Sequence, residues 1–219
     1  MFIMLEVGKR YSKIELNAIF GECSVQSMIR KLNRYQVDVQ VFGRGEKAQF
    51  KILEIGDPFK LFCITELDFD ANTDFDKLQY FYYYFFNDDE FAAMPDEEKA
   101  RQMNDRGCPV SRQTISNYIQ KLERKVWIAK DTENCIYYFA RGSERRIVTK
   151  EEYKTAWKEY WEDKNNGASS EDAIINMRSK YYGIARKNPI PRSNAFFLND
   201  IEQLCNLIQI RMEQQIINK

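Results

Sequence analysis

The sequence predicts a mainly α fold with small antiparallel β-wings: two tandem modules followed by a helical C-terminal region. Three observations carry that expectation. Two serine-capped amphipathic stretches, at residues 24–34 and 111–126, each run directly into β-prone residues. A capping box formed by Thr149 and Glu152 opens a last third that is helical in pattern. An acid-rich run beginning at Glu66 separates the first module from the second, giving units 1–66, 67–148 and 149–219.

In the first unit, Ser12 caps a short helix through Phe20, and Gly21 breaks it. Ser24 caps a second helix that turns Val25, Met28, Ile29 and Leu32 inward. Its polar face offers Gln26, Ser27, Arg30, Lys31 and Arg34. Period-two alternation then runs through Val37, Val39 and Val41, and again through Ala48, Phe50 and Ile52. Gly43-Arg44-Gly45-Glu46 between them reads as a hairpin tip, with Arg44 placed to enter a narrow minor groove or to stand as an ordinary exposed turn residue. The apolar run Phe-Lys-Leu-Phe-Cys-Ile at 59–64 reads as a third strand closing this unit.

The strongest signal lies in CPVSRQTISNYIQKLERKVWIAK. Ser111 is the cap, and Ile115, Tyr118, Ile119, Leu122 and Val126 fall on one helical face. The opposite face presents Arg112, Gln113, Ser116, Asn117, Gln120, Lys121 and Arg124. Arg, Gln and Asn can bond base edges bidentately, and Lys and Arg further along can hold phosphates. Residues 126–130 and 135–140 read as two strands joined by a polar turn at 131–134. Upstream, Pro95 followed by three acids opens a short helix, and FDKLQYFYYYFF, apolar on nearly every face, reads as a buried helix.

On these residues, SRQTISNYIQKLERKVWI resembles the recognition helix and first wing strand of the winged helix-turn-helix family. The family often carries glycine where this chain has Val126, and a valine there disfavours a left-handed turn. The first unit resembles the same family. Two such modules in tandem resemble the architecture of plasmid and phage replication initiators, and also of transcriptional regulators. The resemblance implies a non-catalytic protein that binds double-stranded DNA sequence-specifically. The competing expectation is a winged-helix module that docks proteins and leaves DNA alone.

Charge supports a local footprint. Net charge is zero, but residues 1–65 carry +3, 66–110 carry −8, 111–150 carry +5 and 151–219 carry 0. The chain has no histidine, no CxxC pair among five scattered cysteines, and no glycine-rich phosphate loop. The usual general base, zinc site and nucleotide cradle are therefore not expected, and neither is a cofactor. A metal-dependent nuclease built on Glu159, Glu162, Asp163, Glu171, Asp172 and Lys164 is a weaker alternative, because those acids suit the solvent side of helices. No uncharged apolar run is long enough to span a bilayer, and Glu6 interrupts the apolar start, so a cytoplasmic protein is expected.

In the last third, Tyr153, Ala156, Trp157, Tyr160 and Trp161 form one helical stripe, and Ala173, Ile174, Met177, Tyr181 and Ile184 form another. NPIPRSNA interrupts helix through its prolines. A final helix places Ile201, Leu204, Cys205, Ile208 and Met212 on one face, with Leu207, Ile210 and Ile217 on a second. Two apolar faces imply either packing against the rest of the chain, the favoured expectation, or a homodimer or protein partner held through this helix.

Overall fold

A computed structural model describes residues 5–194 and 197–217. The apolar opening at 1–4, Ala195 of the proline segment and the Ile217 side chain lie outside the described residues. Among the described residues the fold is mixed, mostly helical, with two three-stranded antiparallel sheets.

The first unit runs β1 (Arg10–Ser12), α1 (Lys13–Phe20), α2 (Val25–Arg34), β2 (Val37–Phe42) and β3 (Gln49–Ile55). Ser12 and Glu15 form a capping box, and the Ser24 hydroxyl accepts from the Ser27 amide. Strand order is β1-β3-β2, with Tyr11 and Val41 both opposite Phe50. Tyr11, Leu16, Met28, Leu32, Val37, Phe50 and Ile52 form its buried core.

The run at 59–64 is not a strand. It lies within α3 (Pro58–Leu67), whose cap Asp57 accepts from the Lys60 amide at 2.9 Å. Pro58 sits in the first turn, where a missing N–H costs nothing. The helix is buried at Phe59, Leu61, Phe62, Cys63 and Leu67, so it shows no polar face by which periodicity could reveal it.

The largest core gathers around α4 (Phe75–Asn87), α5 (Asp89–Ala93), α6 (Asp96–Asp105) and α7 (Arg112–Arg124). Phe75, Leu78, Phe81, Tyr82 and Phe85 of α4 are buried, as the aromatic run predicts. The chain continues through β4 (Ile128–Arg141), β5 (Glu144–Val148), α8 (Lys150–Asn165), α9 (Ser170–Tyr181), β6 (Ile184–Ser193) and α10 (Leu198–Ile217). Leu204 and Ile208 of α10 are buried, and the helix packs on α3 and α4.

Three expectations are corrected here. Residues 131–134 do not reverse the chain. The Asp131 carboxylate accepts from the Glu133 and Asn134 amides, and this local turn makes a bulge inside one continuous strand. The reversal comes at Gly142-Ser143, between Arg141 and Glu144. Val126 does not belong to the buried stripe of α7. It is 53% exposed at φ 60°, and the adjacent Trp127 is buried instead. Finally, Ile184 is not part of the α9 stripe but opens strand β6, in which the proline segment interrupts helix as expected. The segment pairs with β4 at the sheet edge, in the order β5-β4-β6, where Pro189 and Pro191 lose no ladder bond on the open side. α8 and α9 are thus inserted between two strands of one sheet, and they bury Ala156 and Met177 against Phe139 and Ala185.

Among the described residues, no helix is long and apolar enough to cross a membrane.

Candidate nucleic-acid interface

α7 is held rigidly. Its cap, Ser111, accepts from the Thr114 amide at 3.1 Å, and Ile115, Tyr118 and Leu122 are buried. The Tyr82 hydroxyl of α4 donates to the Tyr118 carbonyl at 3.1 Å. Burial pushes the Tyr118 phenol up to about 12. A helix fixed on one side in this way presents its other side in a defined orientation.

The predicted face emerges as expected in part. Arg112, Gln113, Asn117 and Arg124 are exposed, while Ser116, Gln120 and Lys121 are half-buried. Gln113, Asn117, Gln120 and Arg124 fall along the line farthest from the core. Their side chains are laced along the helix: Gln113 donates to Asn117 at 3.4 Å, Gln120 to Ser116 at 3.2 Å, and Arg124 to Gln120 at 3.3 Å. The bonds from Gln113 and Arg124 are exposed and weak, and a base edge or phosphate can replace them, while the Gln120 bond to Ser116 is partly buried.

Lys121 is placed differently. Its ammonium donates to the Asp68 carbonyl at 2.6 Å and lies over the Phe69 ring. It is tied to the loop between α3 and α4 and does not extend outward as a free phosphate ligand. Lys125 pairs with the Asp68 carboxylate at 2.7 Å. A groove of about 660 Å³ separates this loop from α7, with Asp68, Asp70 and Asp74 facing Asn117, Lys121 and Arg124 across it.

On α2, Gln26 and Arg30 are exposed, and Ser27 and Lys31 are half-buried. Lys31 donates to the Phe20 carbonyl at 2.7 Å, closing the end of α1, and Ser27 accepts from the Ser24 hydroxyl at 3.0 Å. Both therefore have structural partners. Arg44 is exposed at the hairpin tip between Gly43 and Gly45, which adopt φ 78° and 58°. That tip is fastened to the start of α1 through Lys13 and Glu46.

Two features were missed in the sequence. The loop at 68–74 interacts with both candidate helices, because Arg34 of α2 donates to Asn72 at 2.9 Å. Only its acidity was visible beforehand. The second is the arginine set on the β4–β5 hairpin: Arg141, Arg145 and Arg146 are exposed, with Arg145 over Tyr138 and Arg146 over Phe139. The alternation in ARGSERRIV around Gly142 is the signal that locates this hairpin, and the turn-like DTEN upstream competes with it.

On the other flank of α7, Lys99 is 3% exposed and donates to the Met94 carbonyl. Burial lowers its amine to about 8 despite Asp96 nearby. In the last third, Glu159 accepts from Lys180 and Tyr181, Asp163 from Asn176, and Lys164 donates to Ser170. Glu171 and Asp172 lie exposed in the first turn of α9. No group of three or more metal-ligating side chains is found among the described residues.

No protein family, no curated protein and no solved structure matches the chain.

Proposed function

We propose that the chain binds double-stranded DNA sequence-specifically, in the manner of a transcriptional regulator or a plasmid- or phage-type replication initiator, and without a catalytic step. The observation that carries this is the outer line of α7. Gln113, Asn117, Gln120 and Arg124 are the residue types that read base edges and grip phosphates, on a capped helix clamped to a large core. The first unit supports it through two helices followed by a hairpin, with strand order β1-β3-β2. This is the arrangement expected of a winged helix-turn-helix. The second unit departs from it, since its third strand, β6, joins β4 from beyond two inserted helices.

In this proposal the first two turns of α7 enter the major groove. Replacing Asn117 or Gln113 by Ala should weaken the selected duplex by ~1–3 kcal/mol and relax preference at one base position. Arg124→Ala should weaken all duplexes alike and lower the salt slope by about one unit. Arg44→Ala should matter most beside A·T-rich flanks. Fluorescence anisotropy on one panel of duplexes at two salt concentrations separates the three behaviours. If Asn117→Ala and Gln113→Ala both bind every duplex as the parent does, α7 is not the reader. The acidic flank of α7 then favours the second reading, a module that docks a basic protein surface.

A further inference from the structure

The acidic loop between α3 and α4 is anchored against the proposed reading helix. Asp68 ends α3 in a left-handed conformation, φ 56°. The next residue, Phe69, is buried against the rings of Tyr82 and Tyr118, 6.4 and 5.9 Å away. Its amide donates to the Cys63 carbonyl at 3.1 Å. Asp70 accepts from the Asn72 amide at 2.8 Å, and Asp74 caps α4. The loop is therefore a fixed wall that places acidic groups beside bases.

Those bases are the ones a phosphate backbone needs. Of the four basic residues from Arg112 to Lys125, Lys121 is held by the Asp68 carbonyl and Lys125 by its carboxylate. Arg34, at the end of α2, is held by Asn72 of the same loop. Asp68, Asp70 and Asp74 line one groove with Asn117, Lys121 and Arg124. A phosphate entering on this flank comes within a Debye length, about 8 Å at physiological salt, of negative charge.

We propose that residues 68–74 are a built-in electrostatic restraint on nucleic-acid binding, an internal substitute for the phosphate backbone that occupies Lys121, Lys125 and Arg34. This rests on the reading of α7 as a DNA-contacting helix. Anything that neutralises or displaces the loop strengthens binding to all duplexes, because the lysines and the arginine that it holds meet phosphates and carry no base preference.

The test is D68N/D70N in the full chain, with a labelled random duplex as the probe. Asparagine tolerates the left-handed conformation at 68, and its side-chain oxygen keeps the turn bond at 70. Binding should tighten about fivefold at low salt, since each lost carboxylate contributes about two- to threefold at these separations. The salt slope should steepen by about one unit as Lys125 becomes free to meet a phosphate. Tightening by the variant, including binding where the parent shows none, supports the restraint. Equal affinity and slope in parent and variant overturn the restraint and leave the DNA reading standing. If neither protein binds duplex at low salt, the DNA reading falls and the restraint with it. Should the double variant melt below the parent, D70N alone carries the same test, with about two- to threefold tightening expected.

Discussion

Truncation before Leu198 should abolish the cooperative native fold and leave a protein that aggregates. α10 supplies Ile201, Leu204 and Ile208 to the largest core, and each buried aliphatic side chain is worth about 1.5–3 kcal/mol. It also supplies Arg211, whose side chain is 17% exposed and whose guanidinium joins α10 to α3 and α4. That group pairs with Asp57 at the start of α3 at 3.1 Å and with Asp76 of α4 at 2.8 Å. It also donates to the Phe75 carbonyl and to the buried Gln79 side chain. Removing only this group, as Arg211→Ala, leaves Asp57 and Gln79 largely buried without their partner and should cost about 3–5 kcal/mol. For a chain of this length that is a fall in Tm of about 6–20 °C. Arg211→Lys keeps the charge and loses the fork, so it should fall between. Light scattering and a thermal melt on the truncated chain decide the matter. A soluble truncation that still melts cooperatively would show that α10 is an appendage and that its apolar faces serve some other surface.

The elements that could be read from the sequence are those fixed by neighbours three or four residues away. The caps Ser12, Ser24, Ser111 and Thr149 each act on an amide three residues on, so the residues alone announce them. The buried stripe Ile115, Tyr118 and Leu122 follows from helical periodicity in the same way. α3 fails this test because it is buried on most sides, and only Asp57-Pro58 marks it as a helix. The pairing of β4 with β6 joins Tyr138 to Arg186 across the whole of α8 and α9, and no local pattern encodes such a partner. The same limit applies to the interface. Exposure of Gln113 and Asn117 was legible, whereas capture of Lys121 by the Asp68 carbonyl depends on a contact between residues 53 positions apart.

Adjacent substitutions at the end of α7 should move stability in opposite directions. The Val126 amide donates to the Glu123 carbonyl at 2.9 Å and the Trp127 amide to the Leu122 carbonyl at 3.0 Å. This paired closure of a helix requires a left-handed residue between its two bonds. α6 and α8 close in the same pattern with Gly107 and Gly167 at that position, and α7 does so with Val126 at φ 60°. A β-branched residue there carries a steric cost of about 1–2 kcal/mol, so Val126→Gly should stabilise the protein by about 1 kcal/mol. Tm should rise by about 2–4 °C. The valine side chain is 53% exposed, so little packing is lost in exchange. Trp127 is the reverse case. It is 1% exposed, meets Phe62 of α3 edge-on at 5.4 Å, and sits where the closure delivers it into the core beside Leu122. Trp127→Ala should cost about 3–5 kcal/mol by leaving a cavity that joins α3 to α7. Calorimetry on the two single variants reads both signs at once. A stabilising Val126→Gly beside a destabilising Trp127→Ala fits a helix that ends against backbone strain in order to seat the tryptophan. If Val126→Gly lowers Tm and Trp127→Ala leaves it unchanged, then α7 does not end in this way, and the orientation of its exposed line of Gln113, Asn117, Gln120 and Arg124 has to be assigned afresh.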